Sequence, residues 1–189
     1  MPKTIAFLRA INVGGRNVTM SALTSLFEQL GLDAVETFIA SGNVIFETDA
    51  PADADLETAI ANHLEASLGY EVATFVRTAD EVAAIAAAAP FTPEAMAAAA
   101  AHNVGFLASP LTPDEVALLD GLRTDIDDFA AVGREVHWLC RRRQSDSTFS
   151  NAVFERALRR RATFRTINTV ARLATKYPAL TRDVVPGSS

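Results

Sequence analysis

The chain has 189 residues, 49% apolar and 21% charged, with a net charge of −6. That balance supports a packed core and excludes a disordered chain, while the length admits one domain or two small ones. Apolar runs near the start are short and broken by Arg9 and Asn12, and no later stretch does better, so no signal-peptide core and no membrane span is expected.

Residues 3–11 (KTIAFLRAI) alternate and are rich in β-formers, which predicts a strand ending at loop 12–17. In the next segment Met20, Leu23, Leu26, Phe27 and Leu30 recur at helical spacing, with Thr19 as N-cap and Gly31 beyond the end. A hairpin follows, AVETFIA and VIFET joined at Ser41-Gly42-Asn43. Leu56, Ile60, Leu64 and Leu68 mark a second helix stopped by Gly69, and EVATFVR reads as a fourth strand. Residues 1–78 thus form one β-α-β-β-α-β unit. Residues 79–101 read as an alanine-rich helical connector with a helix starting at Thr92-Pro93, and His102 is grouped with it rather than with the strand NVGFLA. Residues 102–189 repeat the pattern: strand NVGFLA, helix TPDEVALLDGL, strands DDFAAV and EVHWLCR around Gly133-Arg134, helix SNAVFERALRR capped by Ser150, strand ATFRT and a C-terminal helix INTVARLATKY.

The expected fold is α+β, two tandem ferredoxin-like plaits with antiparallel sheets in spatial order 4-1-3-2, helices on one face and the open face packed on the other unit. In that topology loop 12–17 and Ser41-Gly42-Asn43 lie side by side, with Gly69-Tyr70 on the same edge. The edge offers Asn12, Gly14, Gly15, Arg16, Asn17, Ser41, Gly42 and Asn43: exposed backbone N–H groups, amides and one cation ahead of a helix N-terminus, a chemistry suited to an anion. The alternative is that the glycines supply positive φ and the asparagines make local backbone bonds. Arg9 falls on the strand face of Ile5 and Phe7, where Glu47 is placed to pair with it, with ligand binding the other role. A second candidate anion site is the start of the last helix, where Arg165 precedes Asn168, Thr169 and Arg172.

Phe7-Leu8-Arg9-Ala10-Ile11-Asn12-Val13-Gly14-Gly15, then Met20 and Leu23, then Ser41-Gly42-Asn43-Val44-Ile45-Phe46 resemble the bacterial family called domain of unknown function 1697. Members commonly read Arg-Gly-Ile-Asn-Val-Gly-Gly, so Ala10 departs from the pattern. Near the C-terminus the family tends to Leu-Ser-Asn and Arg-Asn-Trp-Asn-Thr-Val. Here the matching stretches are Phe149-Ser150-Asn151 and Arg165-Thr166-Ile167-Asn168-Thr169-Val170, without the tryptophan. The resemblance implies the two-plait fold and no established activity.

Charge is divided unevenly: residues 1–133 hold five Lys/Arg against nineteen Asp/Glu, and residues 134–189 hold twelve against four, eleven of them arginine. The first expectation is a binding module for a phosphate- or carboxylate-bearing small molecule. Alternatives are nucleic-acid binding through the arginine-rich C-terminal region, and a metal-independent enzyme for which no general base can be named. The bland reading of the asymmetry is internal pairing, within the chain or across a homo-oligomer. No cofactor or metal is expected, since His63, His102 and His137 lack ligand spacing. Cys140, the only cysteine, alternates inward with Val136 and Trp138 as a core residue, excludes an internal disulfide, and leaves the cytoplasm as the expected location.

Overall fold

The computed structural model describes residues 1–12, 14–39 and 42–179. The first sheet comprises β1 (Lys3–Leu8), β2 (Asp33–Thr37), β3 (Asn43–Glu47) and β4 (Thr74–Thr78), and the second β5 (Ala101–Phe106), β6 (Asp127–Val132), β7 (Glu135–Cys140) and β8 (Thr163–Thr166). Their orders are β2-β3-β1-β4 and β6-β7-β5-β8, all antiparallel, which is the expected 4-1-3-2 plait twice. Helices α1 (Met20–Glu28) and α2 (Ala54–Leu68) belong to the first unit. The second holds α5 (Pro113–Asp120), α6 (Asn151–Leu158) and α7 (Ile167–Lys176), and α3 (Ala79–Ala87) and α4 (Pro93–Ala98) lie between. Among the described residues no helix is long and apolar enough to cross a membrane.

Strand alternation sorts side chains into three cores. Ala6, Leu8, Val44, Phe46 and Val76 face α1 and α2, and Phe129, Val136, Trp138 and Cys140 lie in the core of α5 and α6. The opposite faces meet each other: Ile5, Phe7, Ile45 and Phe75 pack with Val104 and Phe106, closed by Val82 and Ile85 of α3 and Val170 and Leu173 of α7. Phe7 and Phe106 stack at its centre, 3.8 Å between ring centroids and 11° from parallel. The alanine-rich segment therefore helps to cover the central layer.

Burying the two open faces buries Arg77 with them. It is 0% exposed, and Nε donates to Glu135 Oε1 at 2.6 Å while Nη2 donates to the Leu107 and Arg134 carbonyls. Arg134 in turn pairs with Glu81 at 2.7 Å. A buried guanidinium is tolerated only with its donors satisfied, and here Nε and Nη2 are met by the opposite unit while Nη1 donates to the Val76 carbonyl and lies near Glu57 of its own unit. A sheet face so occupied leaves Arg77 and Phe75 closed to solvent.

Two expectations are corrected. β1 ends at Leu8, because Ala10 takes a left-handed conformation (φ 56°) that breaks the alternation. His102 is a residue of β5, not of the connector, because the strand begins at Ala101.

Candidate functional site

The loop edge converges as the topology requires. The Leu8 N–H donates to the Gly42 carbonyl at 2.8 Å, and the Tyr70 hydroxyl donates to the Ile11 carbonyl at 3.0 Å. Gly42 is irreplaceable on two counts: its φ is 78°, and a Cβ there would lie 2.9 Å from Ile11 Cγ2. Gly14 and Gly15 also have positive φ, but both are exposed with open space around them. Ser41 lies outside the described residues.

The amides of this edge are occupied by the fold. Asn12 Oδ1 accepts the Val18 N–H at 2.7 Å, bracing the loop ahead of α1. Asn43 is the first residue of β3 rather than a turn residue, stands opposite Phe7, and is 0% exposed. Its Nδ2 donates to the Phe38 carbonyl at 3.0 Å, and its Oδ1 accepts from Arg165 Nε at 2.7 Å. Arg165 reaches the edge from β8. Nη2 donates to the carbonyls of Leu8 (2.8 Å) and Gly42 (3.3 Å), and Nη1 to Thr163 Oγ1 and the Phe164 carbonyl. Burial pulls this guanidinium down to about 10, so it is a cation at neutral pH, surrounded by oxygen acceptors. Arg165 is thus a clip between the units, and its donors are engaged by the protein.

Arg9 pairs with Glu155 of α6, not with Glu47. Nε and Nη2 reach the two carboxylate oxygens at 2.7 Å each, and Glu47 pairs instead with Lys3 at 3.3 Å. The end of β1 at Leu8 removes Arg9 from the strand face on which Glu47 was placed to meet it. Glu155 also accepts the Ala162 N–H, and Arg161 donates to Glu71 at 2.8 Å. Arg160 bonds both Glu115 oxygens, and Lys176 reaches Glu36 at 3.1 Å. Part of the basic C-terminal region is thereby neutralised within the chain. Arg141, Arg142 and Arg143 are exposed.

Two arginines are held differently. Arg16 lies over the Tyr70 ring at 4.1 Å and Arg172 over the Phe38 ring at 5.3 Å, and neither forms an ion pair among the described residues. A guanidinium held over a ring face by its charge keeps N–H donors of the kind that bind carboxylate or phosphate in a fork. Arg172 opens onto a groove of about 670 Å³ between α7 and the β2–β3 loop, lined also by Phe38, Asn168, Thr175 and Lys176. Asn168, Ala171, Arg172, Thr175 and Lys176 share this side of α7 because they recur at three- and four-residue spacing. Asn168 is exposed. Thr169 is half-buried, and its N–H is taken by the Thr166 hydroxyl that caps α7. Asn17 is exposed beside Arg16.

Of the residues singled out by sequence, Gly42, Asn43 and Arg165 are brought into contact. Arg9, Asn12, Gly14, Gly15, Arg16 and Asn17 lie around the β1–α1 connection, and Asn168 and Thr169 lie at the start of α7. Phe38, whose ring lies beneath Arg172, was not anticipated; an aromatic at the end of a hairpin strand is the signal that marks it. Nor was the pair His102 and His137, whose Nε2 and Nδ1 are 3.0 Å apart. Burial and the neighbouring His102 depress His137 to about 4, and burial lowers His102, so both are neutral at pH 7. Cys140 is buried, and burial raises its thiol, so it is a poor nucleophile. Among the described residues no three of His, Cys, Asp and Glu are grouped to hold a metal ion.

Two antiparallel plaits joined face to face around one central core define the class, a tandem ferredoxin-like α+β protein. The chain belongs to the family described as Protein of unknown function (DUF1697), whose profile matches residues 1–137. The C-terminal stretches around Ser150 and Arg165 lie beyond that match. Among solved structures it is similar to the conserved bacterial protein SP0830 from Streptococcus pneumoniae, with a TM-score of 0.70 and 19% identity over 95% of this chain and 99% of that one, a likeness of fold. No curated protein matches the chain.

Proposed function

We propose that the protein is a binding module for a small molecule bearing a phosphate or carboxylate, received in the groove between α7 and the β2–β3 loop. The observation that carries this reading is Arg172, lying over the Phe38 ring with no ion pair among the described residues, beside Asn168, Thr175 and Lys176. The proposal moves the anion site from Asn12, Asn43 and Arg165, which the fold consumes, to the neighbouring cation that it leaves open. Arg16, lying over the Tyr70 ring beside Gly14, Gly15 and Asn17, offers a second cation on the same edge of the first sheet. Nucleic-acid binding is less favoured because Arg160 and Arg161 are committed to Glu115 and Glu71.

A thermal-shift screen with inorganic phosphate, citrate, AMP, a sugar phosphate and a short oligonucleotide, at low and high salt, tests it. A ligand of the native state raises Tm by mass action. The proposal expects a salt-tolerant shift from a small anion. A shift from the oligonucleotide alone, erased by salt, transfers the function to Arg141–Arg143 and the rest of the basic surface.

A further inference from the structure

The groove between α7 and the β2–β3 loop has two cations on its wall, and one of them is already engaged. Arg172 and Lys176 stand one helical turn apart on α7, about 6 Å along its axis. Both lie over the Phe38 ring, at 5.3 and 5.4 Å. Two positive charges so placed would suit a dianion. Lys176, however, donates through Nζ to Glu36 Oε2 at 3.1 Å, and lies over the Tyr177 ring as well, at 4.9 Å. Glu36 comes from β2, two positions before Phe38. Its other oxygen is 4.0 Å from Lys3, which pairs in turn with Glu47 at 3.3 Å. Lys176, Glu36, Lys3 and Glu47 therefore alternate in sign and cancel. The charge left to the groove is that of Arg172, which forms no ion pair among the described residues.

The neutral lining adds little to hold a second negative charge. The Thr175 hydroxyl donates to the Ala171 carbonyl at 3.0 Å, so its proton is spent, and Asn168, one turn before Arg172, supplies one amide. A ligand that drew Lys176 to its second charge would leave Glu36 with only the more distant Lys3, a repulsive element beside the bound anion. We propose that Glu36 sets the charge of the ligand: the groove takes a monoanion, a carboxylate held in the Arg172 fork, in preference to the dianion of a phosphate monoester. This inference rests on the reading of the groove as an anion site and narrows it. Coulomb energy scales with ligand charge, so removing the Glu36 charge helps a dianion twice as much, in free energy, as a monoanion. Exposed ion pairs are worth little, which puts the first effect at about tenfold in affinity and the second at about threefold.

The test is the binding of benzoate and phenyl phosphate, which share a ring and differ in charge, to the intact chain and to Glu36→Gln at pH 7 and low ionic strength, read by the Arg172 Nε–H resonance. At that pH the phosphate ester is about nine-tenths dianion, its second pKa being about 6. Benzoate should bind the unsubstituted chain more tightly, by about threefold or more. In Glu36→Gln its affinity should rise about threefold and that of phenyl phosphate about tenfold, so the preference closes or reverses. Asp120→Asn makes the same change of charge at the Arg123 pair of α5 and should leave the ratio as it is. Both pairs are exposed, so the melting temperature should change little in either variant. A preference of the unsubstituted chain for phenyl phosphate, or the same ratio in Glu36→Gln, overturns the assignment of Glu36 and leaves the groove an anion site. If neither probe moves the Arg172 resonance in either protein, the reading of the groove fails, and this inference falls with it.

Discussion

Arg165 Nε donates to Asn43 Oδ1 at 2.7 Å across 122 positions of sequence, joining the last strand of the second sheet to the hairpin of the first. The same guanidinium collects the Leu8 and Gly42 carbonyls, so one side chain fixes the C-terminal end of β1, the start of β3 and β8. Arg165→Ala strands these acceptors in the central layer and should cost about 3–5 kcal/mol. Arg165→Lys keeps the charge but loses the fork and should still cost about 2 kcal/mol. Asn43→Ala should likewise destabilise, by about 2 kcal/mol. Denaturant midpoints at unchanged m-value measure all three. A destabilisation below half a kcal/mol for Arg165→Ala would contradict the clip.

Ala10 is a second test of the same edge. A left-handed backbone costs an L-residue about 1–2 kcal/mol, and glycine regains this at an unfolded-state penalty of about 0.4–1 kcal/mol. With φ at 56°, Ala10→Gly should stabilise the protein by about 0.5 kcal/mol, where glycine elsewhere destabilises. A loss of stability in urea unfolding would show that the strain is not there.

The buried histidines predict a pH dependence. His137 titrates near 4 in the folded chain against an ordinary value of 6.5, so the unfolded chain binds the proton more tightly. Stability is complete above about 6.5 and is lost as pH falls toward 4. Between pH 7 and 5 this one group removes about 2 kcal/mol, and His102, shifted in the same direction, adds to the loss. His137→Gln should flatten that segment of the stability profile; an unchanged slope would assign the acid sensitivity to other groups.

Much of this was legible in the sequence, for physical reasons. Period-two and period-3.6 patterns, with Thr19, Gly69, Thr92 and Ser150 as caps, defined both plaits, and the topology then placed Gly42 beside Leu8. What escaped was the partner of each polar side chain. Arg9 meets Glu155 across 146 positions, and Arg165 meets Asn43, because the open faces of the two sheets close on each other. Local spacing carries no information about that. Alternation also fails where a single left-handed residue, Ala10, ends a strand that the composition would extend to Ile11. The asparagines drew notice as ligand donors for the same chemical reason that the fold uses them, since an amide at a turn satisfies whichever partner is nearest. The open cation, Arg172, is identified by its ring contact with Phe38, a relationship between two distant segments.

The most direct measurement follows the side-chain Nε–H resonance of Arg172 while the intact protein is titrated with the anion that gives the largest salt-tolerant thermal shift, in parallel with Arg172→Ala. The account predicts a saturable displacement of that resonance, and affinity at least tenfold weaker in the variant with its melting temperature unchanged, about 1.4 kcal/mol or more of binding from one fork. Equal affinity in Arg172→Ala, or no small anion that shifts the melting temperature at all, would contradict a groove built to receive one.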